Sequence, residues 1–222
     1  MHPHLPEITI APAVLEALRA LAAGPQRRIL GLAGAPAAGK STLAAALVEA
    51  LEDRAVVVPM DGFHLSQQQL ERLGRAERKG APDTFDAGGY RALLARLHEA
   101  RYNAETVYAP GFYREIEEPI AASLAVAPST PLVITEGNYL LLEEAPWPGV
   151  AEQLDTIWYL DVDTTQREQW LVARHERFGR HPADARAWVA ATDRPNAERI
   201  RPTAARADRI LRWNGGCAEF AD

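Results

Sequence analysis

Gly34-Ala35-Pro36-Ala37-Ala38-Gly39-Lys40-Ser41-Thr42 is the stretch that decides how this chain folds. It fits the pattern Gly-x-x-x-x-Gly-Lys-Ser/Thr, in which glycines let successive backbone N–H groups turn inward around phosphate oxygens. Lys40 supplies a point charge for the β- and γ-phosphates, and the Ser41 hydroxyl is a Mg²⁺ ligand in such loops. The context agrees with the motif. Ile29-Leu30-Gly31-Leu32-Ala33 precedes it as a short apolar run, the form of a buried strand. Leu43, Leu47, Val48 and Leu51 follow on one face of a helix. Strand, loop and helix stand in the order that puts a helix N-terminus behind the bound anion.

Composition narrows the function classes. The chain has 222 residues, of which 47% are hydrophobic, enough for one α/β domain with a small lid. Its 24 basic and 30 acidic residues leave a net charge of −6, so no global basic field favours nucleic acid or an anionic membrane. A site for anionic phosphates must be built locally. One cysteine, Cys217, makes no internal disulfide, which fits a reducing cytoplasm. No apolar stretch reaches membrane-spanning length, and the first residues lack the form of a secretory signal. The expected location is cytoplasmic. Nothing in the sequence fixes an oligomeric state.

Further strands are expected at 55–59, 131–135, 156–160 and 209–211, with a short candidate at Thr106–Tyr108. Helices are expected between them, one with Tyr90, Leu93, Leu94 and Leu97 on a common face and Asp86 or a neighbour as cap. The alternation predicts a three-layer α/β/α fold with a mostly parallel, five-stranded sheet, one domain over residues 1–222, and a helical lid inserted at about 174–192. Ligands bind beyond the carboxyl ends of such strands. Asp61, Glu136 and Asp161 all fall there beside the phosphate loop.

A phosphate loop identifies a nucleoside triphosphate, not a reaction. The Asn-Lys-x-Asp of guanine readers and the Leu-Ser-Gly-Gly-Gln of transporter ATPases are both missing from the sequence. A kinase needs an acceptor base, a metal carboxylate and cations that close over the phosphates. Asp61 is placed to accept the proton of an acceptor hydroxyl, or alternatively to cap the helix after it. Glu136, ending a buried strand, is placed to act on Mg²⁺ with Ser41, directly or through water. Arg174, Arg177 and Arg180 cluster around Gly179, where they either fold over the transferring phosphoryl group or form a solvated basic face. His64, Lys79, Asp83, Tyr113 and Arg114 are the candidate acceptor contacts. For Arg114 the competing reading is an ion pair with Glu115, Glu117 or Glu118 on a solvated loop.

Taken together, these residues resemble the P-loop kinases of the uridine kinase, phosphoribulokinase and type I pantothenate kinase family, over nearly the whole chain after Arg27. Met60-Asp61-Gly62-Phe63 is similar to the Asp-Gly-Phe of pantothenate kinase. Arg78-Lys79-Gly80-Ala81-Pro82-Asp83-Thr84-Phe85-Asp86 resembles its Arg-Lys-Gly-x-Pro-x-Ser-x-Asp stretch. Glu136-Gly137 resembles the family's metal-facing strand end, and Ile200-Arg201-Pro202-Thr203 with Arg206-Ala207 its segment toward the adenine. The resemblance implies ATP and Mg²⁺ as cofactors, a small-molecule acceptor, and Asp61 as base. It departs at two places. The ribose-binding Asp of uridine kinases falls near Gly80, and Arg114 stands where pantothenate kinases carry His. The patterns around Pro110-Gly111-Phe112 and Asp193-Arg194-Pro195-Asn196-Ala197 are most similar to a bacterial subgroup named for nucleoside/nucleotide or fructose-transport kinases.

The expected activity is transfer of the γ-phosphate of ATP to a hydroxyl of a sugar, sugar acid or similar metabolite. The alternatives are a regulatory or transport-coupled ATPase without an acceptor, and a nucleoside or pantothenate kinase.

Overall fold

The computed structural model describes residues 8–100, 104–177 and 179–221. A seven-stranded sheet has the order β1 (Thr9–Ile10), β9 (Cys217–Phe220), β8 (Arg209–Asn214), β7 (Thr156–Asp161), β2 (Arg28–Ala33), β6 (Leu132–Gly137) and β3 (Ala55–Val57). The five strands from β8 to β3 are parallel, β9 is antiparallel to β8, and β1 is parallel to β9. The five expected strands therefore form the parallel part, and the strand count is corrected to seven. Strand β9 folds back through Gly215-Gly216, both at positive φ (55° and 90°), with Asn214 opposite Cys217. A two-residue hairpin loop demands that backbone, and glycine supplies it without strain. Strand β1 has only two residues, too few for any periodic signal.

Alternation along β2 splits the core. Leu30 and Leu32 pack with Val14, Leu18 and Ala22 of α1 (Pro12–Ala23) and with Leu43, Ala44 and Leu47 of α2 (Lys40–Glu49). Ile29 and Ala33 turn to the opposite face, against Tyr90, Leu93, Leu94 and Leu97 of α4 (Ala87–Glu99) and the buried Trp147. Strand residues of successive parity face opposite layers, so one apolar run serves both cores. The Asp86 carboxylate accepts from Gly89 N at 2.8 Å and caps α4, while Ser66 caps the short α3 (Gln67–Arg72).

A separate antiparallel ribbon joins β4 (Val107–Tyr113) to β5 (Glu118–Val126). The sequence predicts extended structure only at Thr106–Tyr108. Pro110, Gly111 and Pro119 read as loop residues, yet Pro110 lies at the bulge between Ala109 and Gly111, where no regular ladder bond is required.

Beyond β7, Asp163 Oδ1 accepts from Gln166 N at 3.0 Å and caps α5 (Thr164–Arg177). Helices α6 (Pro182–Trp188) and α7 (Arg194–Ile200) follow, joined through a π-helical turn at Val189–Asp193. Among the described residues no helix is long and apolar enough to cross a membrane.

Candidate active site

Strands β2, β3, β6 and β7 all point their carboxyl ends at one rim. The chain leaves β2 at Ala33 and enters the phosphate loop, with Gly39 at φ 91° as the residue before α2. A side chain there would be strained by its backbone and would meet the Trp213 ring at 3.2 Å. Trp213, from β8, donates its indole N–H to Ala38 O at 3.0 Å. It thereby fixes one peptide of the loop from outside.

Lys40 is buried, and its ammonium donates to Gly34 O and Ala35 O at 3.0 Å and to Asn138 Oδ1 at 2.7 Å. Burial pushes its pKa down to about 8; Glu136 and Asp61 pull upward, while Arg174 and Arg167 push down. The charge is poised over the loop with only neutral acceptors touching it.

Ser41 Oγ donates to Glu136 Oε1 at 2.8 Å. Glu136 is buried, and its carboxyl is held above the usual range by desolvation and by Asp61, against the pull of Lys40 and the Ser41 bond. Hard oxygens of this kind suit Mg²⁺, which takes one or two protein ligands and leaves the rest to water and phosphate. A hydroxyl and a carboxylate are oxygen donors, without the thiolate or imidazole that zinc sites use.

Asp61 lies in a 3₁₀ turn, Met60–Phe63, just past β3. Thr135 on β6 donates to Val58 O at 2.6 Å, and Tyr90 OH, 2.6 Å from Thr135 Oγ1, donates to it in turn. These buried bonds tie the segment leading to Asp61 to the strand bearing Glu136. Arg114, at the end of the ribbon, donates to Asp61 Oδ2 at 3.2 Å. The acidic neighbours that compete for it in the sequence are engaged elsewhere or open to solvent. Glu118 accepts from Gln67 N at 2.8 Å, and Glu117 gives its carbonyl to Lys79. His64 donates Nδ1–H to Asp61 O at 2.7 Å and sits between the rings of Phe85 and Phe112, at 4.0 and 4.7 Å. Burial keeps its pKa below the ordinary histidine value. Lys79 and Arg114 both lie over the Phe112 ring, at 5.9 and 5.7 Å.

Not every candidate converges here. Asp83 is spent on Arg78, bonded at both oxygens, and on Arg75, 3.4 Å away, so it does not join Asp61. Tyr113 is exposed and hydrogen-bonds to none of the described residues near Asp61. Arg174 is solvent-accessible but stands within electrostatic range of Arg114, Asp193, Asp61 and Glu117. Arg177 is exposed and makes no ion pair among the described residues. Arg180 stacks on Trp188 at 3.9 Å, within the helical segment itself.

Sequence reasoning passes over Arg167. It is buried, and among the described residues its side chain makes one hydrogen bond, to Pro36 O of the phosphate loop at 3.4 Å. No carboxylate among the described residues pairs with it. Its four-residue spacing from buried Leu171 marks an inward helix face and is the available signal. Beside it a cavity of about 140 Å³ is bounded by Ala35, Ala38, Asp161, Arg194 and Arg201.

Comparison with known proteins bears on this rim. The model of the phosphoribulokinase / uridine kinase family matches residues 29–214. A crystal structure from Silicibacter sp. TM1040, provisionally named a fructose transport system kinase, superposes with a TM-score of 0.81 at 35% identity, covering 91% of this chain and 98% of the other. A Schizosaccharomyces pombe protein provisionally named a uridine kinase is 38% identical over 159 residues, 68% of this chain and 67% of that protein. A pantothenate kinase of Clavibacter sepedonicus is 33% identical over 213 residues, 83% of this chain and 66% of the relative.

Proposed function

This chain belongs to the phosphoribulokinase / uridine kinase family of small-molecule kinases, and from that premise we propose that it is an ATP- and Mg²⁺-dependent phosphotransferase whose acceptor is a hydroxyl of a small metabolite, a sugar, sugar acid or similar. The observation that carries this reading is the pair of carboxylates flanking Lys40. Glu136 is bonded to the loop's Ser41, while Asp61 is bonded instead to Arg114 on the ribbon side. One carboxylate belongs with the nucleotide, and the other faces the place an acceptor would take. An ATPase without an acceptor has no use for the second.

In this mechanism the phosphate loop and Lys40 hold the β- and γ-phosphates; Lys40 exchanges its backbone and Asn138 acceptors for phosphate oxygens. Ser41 and Glu136 would hold Mg²⁺, which when bound neutralises phosphate charge. Asp61 takes the proton of the acceptor hydroxyl as the oxygen–phosphorus bond forms and the bond to the ADP oxygen breaks. Arg174 supplies positive charge to the transferring group. The residues from about 174 to 192 act as the lid of a single domain.

The test is product analysis with γ-labelled ATP and a metabolite pool. Label in an organic phosphate is expected; label found only as free phosphate would overturn the reading.

A further inference from the structure

We propose that the phosphoryl acceptor is an anion, carrying a carboxylate or phosphate group that Arg114 and Lys79 bind beside the hydroxyl presented to Asp61. This deepens the kinase reading and rests on it.

Donors outnumber acceptors on the ribbon side of Asp61. Arg114 has five N–H donors and spends one, on Asp61 Oδ2 at 3.2 Å. Lys79 has three and spends one, on the carbonyl of Glu117. Neither has another hydrogen-bond partner among the described residues. Both stand over one ring, Phe112, at 5.7 and 5.9 Å from its centre. The ring anchors them by a cation–π contact that leaves their N–H groups directed elsewhere. A third cation, Arg174, lies close enough to Arg114 for their like charges to repel.

Most nearby carboxylates are engaged elsewhere, and Glu117 and Asp193 act on Arg174 through their charge without a direct bond to Arg114 or Lys79. Asp83 is held by Arg75 and Arg78. Glu118 caps α3 through Gln67 N. Asp61 is shared with Arg114 alone, and it must keep an oxygen free to act as a base. Glu117 is exposed and contributes its carbonyl, not its side chain, to Lys79. Around Arg114 and Lys79, N–H donors therefore outnumber the acceptors that reach them among the described residues. A neutral polyol would leave Lys79 without a counter-charge. An oxyanion on the acceptor supplies it and gives the guanidinium a bidentate partner.

Matched acceptor pairs test this in a coupled ADP-release assay: glycerate against glycerol, gluconate against sorbitol, and fructose 6-phosphate against fructose. The charged member of at least one pair is expected to exceed its neutral partner about 100-fold in kcat/KM, the range of one or two charge-assisted hydrogen bonds. The first two pairs read carboxylate, the third phosphate. Arg114→Gln and Lys79→Gln should each raise KM for that anion by about tenfold or more while KM for ATP stays constant. Arg114→Lys should recover part of the loss, which a merely folding-related defect would not. Binding of the anion without ATP, followed by calorimetry, should weaken in parallel. Neutral members turned over as well as their acids would overturn the inference and leave the kinase reading intact. So would variants with unchanged acceptor KM. ADP release that no acceptor stimulates would instead bring down the kinase reading, and this inference with it.

Discussion

Arg114 and Asp61, 53 residues apart in the chain, meet across 3.2 Å at the open end of the phosphate-loop rim. Both side chains are partly exposed, so the pair is worth little to stability. Its consequence is orientation: the guanidinium holds one oxygen of the Asp61 carboxylate. Asp61→Asn removes the proton acceptor but keeps the shape. It should lower kcat by a factor on the order of 10²–10⁴, with the dissociation constant for ATP changed less than about twofold. Steady-state kinetics beside calorimetric ATP titration checks this; an Asn variant with full turnover would remove Asp61 from the mechanism.

Lys40 should set a pH limit on nucleotide binding. Its pKa is lowered to about 8, chiefly by burial, so the folded protein loses this proton earlier than the unfolded chain does. Between about 8 and the ordinary lysine value of about 10.4, folding stability attributable to Lys40 rises with pH, because the unfolded chain binds the extra proton there. Phosphate binding needs the charged form and runs the opposite way. ATP affinity should fall roughly tenfold between pH 7 and pH 9, while Lys40→Ala should bind weakly at both. A flat profile in the wild type would place the relevant charge elsewhere.

Arg167 should separate stability from binding. A buried guanidinium beside the phosphate loop, with no carboxylate in ion-pair contact among the described residues and only the more distant charges of Glu168 and Asp193 to offset its desolvation, is incompletely balanced until an anion arrives. Replacement by Met keeps the volume and removes that charge. The ligand-free Arg167→Met protein is expected to melt at the same or a higher temperature than wild type, yet to bind ATP at least about tenfold more weakly, the loss of one charge-assisted contact. A variant that loses stability and keeps its affinity would show a structural arginine.

Gly137 couples the core to the base. A methyl group there would stand 2.6 Å from Met60 Cβ and Sδ, and Met60 precedes Asp61. Gly137→Ala should destabilise by about 1–3 kcal/mol through overpacking. Because Met60 must move, kcat should fall more than ATP affinity does. Denaturant melts with kinetics on the same preparation would decide it.

The helical segment carrying Arg174 should tighten around nucleotide. Gly179 lies at φ 92° and ends α5, its N–H bonded to Glu176 O at 2.9 Å and that of Arg180 to His175 O at 3.0 Å, with no neighbour within 4 Å of where a Cβ would stand. On either side His175 donates to Asp193 at 3.0 Å, and Arg194 donates twice to Glu168 at 2.8 Å. These bonds tie the base of the segment, while at its tip Arg180 packs on Trp188 of the segment itself. Hydrogen exchange is expected to slow across residues 174–180 when a non-hydrolysable ATP analogue binds, and to be unchanged at residues 194–200. Equal exchange with and without the analogue would argue against closure.

The parallel sheet and the phosphate loop are legible in the sequence because both are local. Nine consecutive residues and their flanking apolar runs carry the motif, and each central strand reads as an uninterrupted apolar stretch. The edges are not legible. Strand β5 contains Pro119 and an alanine-rich run with no clean alternation, and it pairs with β4 rather than with the main sheet. The arrangement around Asp61 is legible only as membership. That Arg114 reaches Asp61 rather than Glu115, Glu117 or Glu118 depends on where the ribbon lands, which no spacing encodes. Asp83 misleads for the opposite reason: Arg78, five residues away, claims it locally. Trp213 and Arg167 belong to elements far from the phosphate loop in sequence, so their contacts with it emerge only after folding.

The bond from Trp213 to Ala38 spans 175 residues, and this separation has a consequence for biogenesis. At synthesis rates of about 5–20 residues per second, roughly 9–35 s pass between the emergence of the loop and that of the indole that braces it. During that interval the anion cradle has its glycines and lysine but lacks its outer brace. A nascent chain stalled before residue 213 should therefore fold much of its parallel sheet yet hold ATP loosely, and completion of β8 should bring the sharp gain in nucleotide affinity. The ribosome, in effect, delivers the site's final part last.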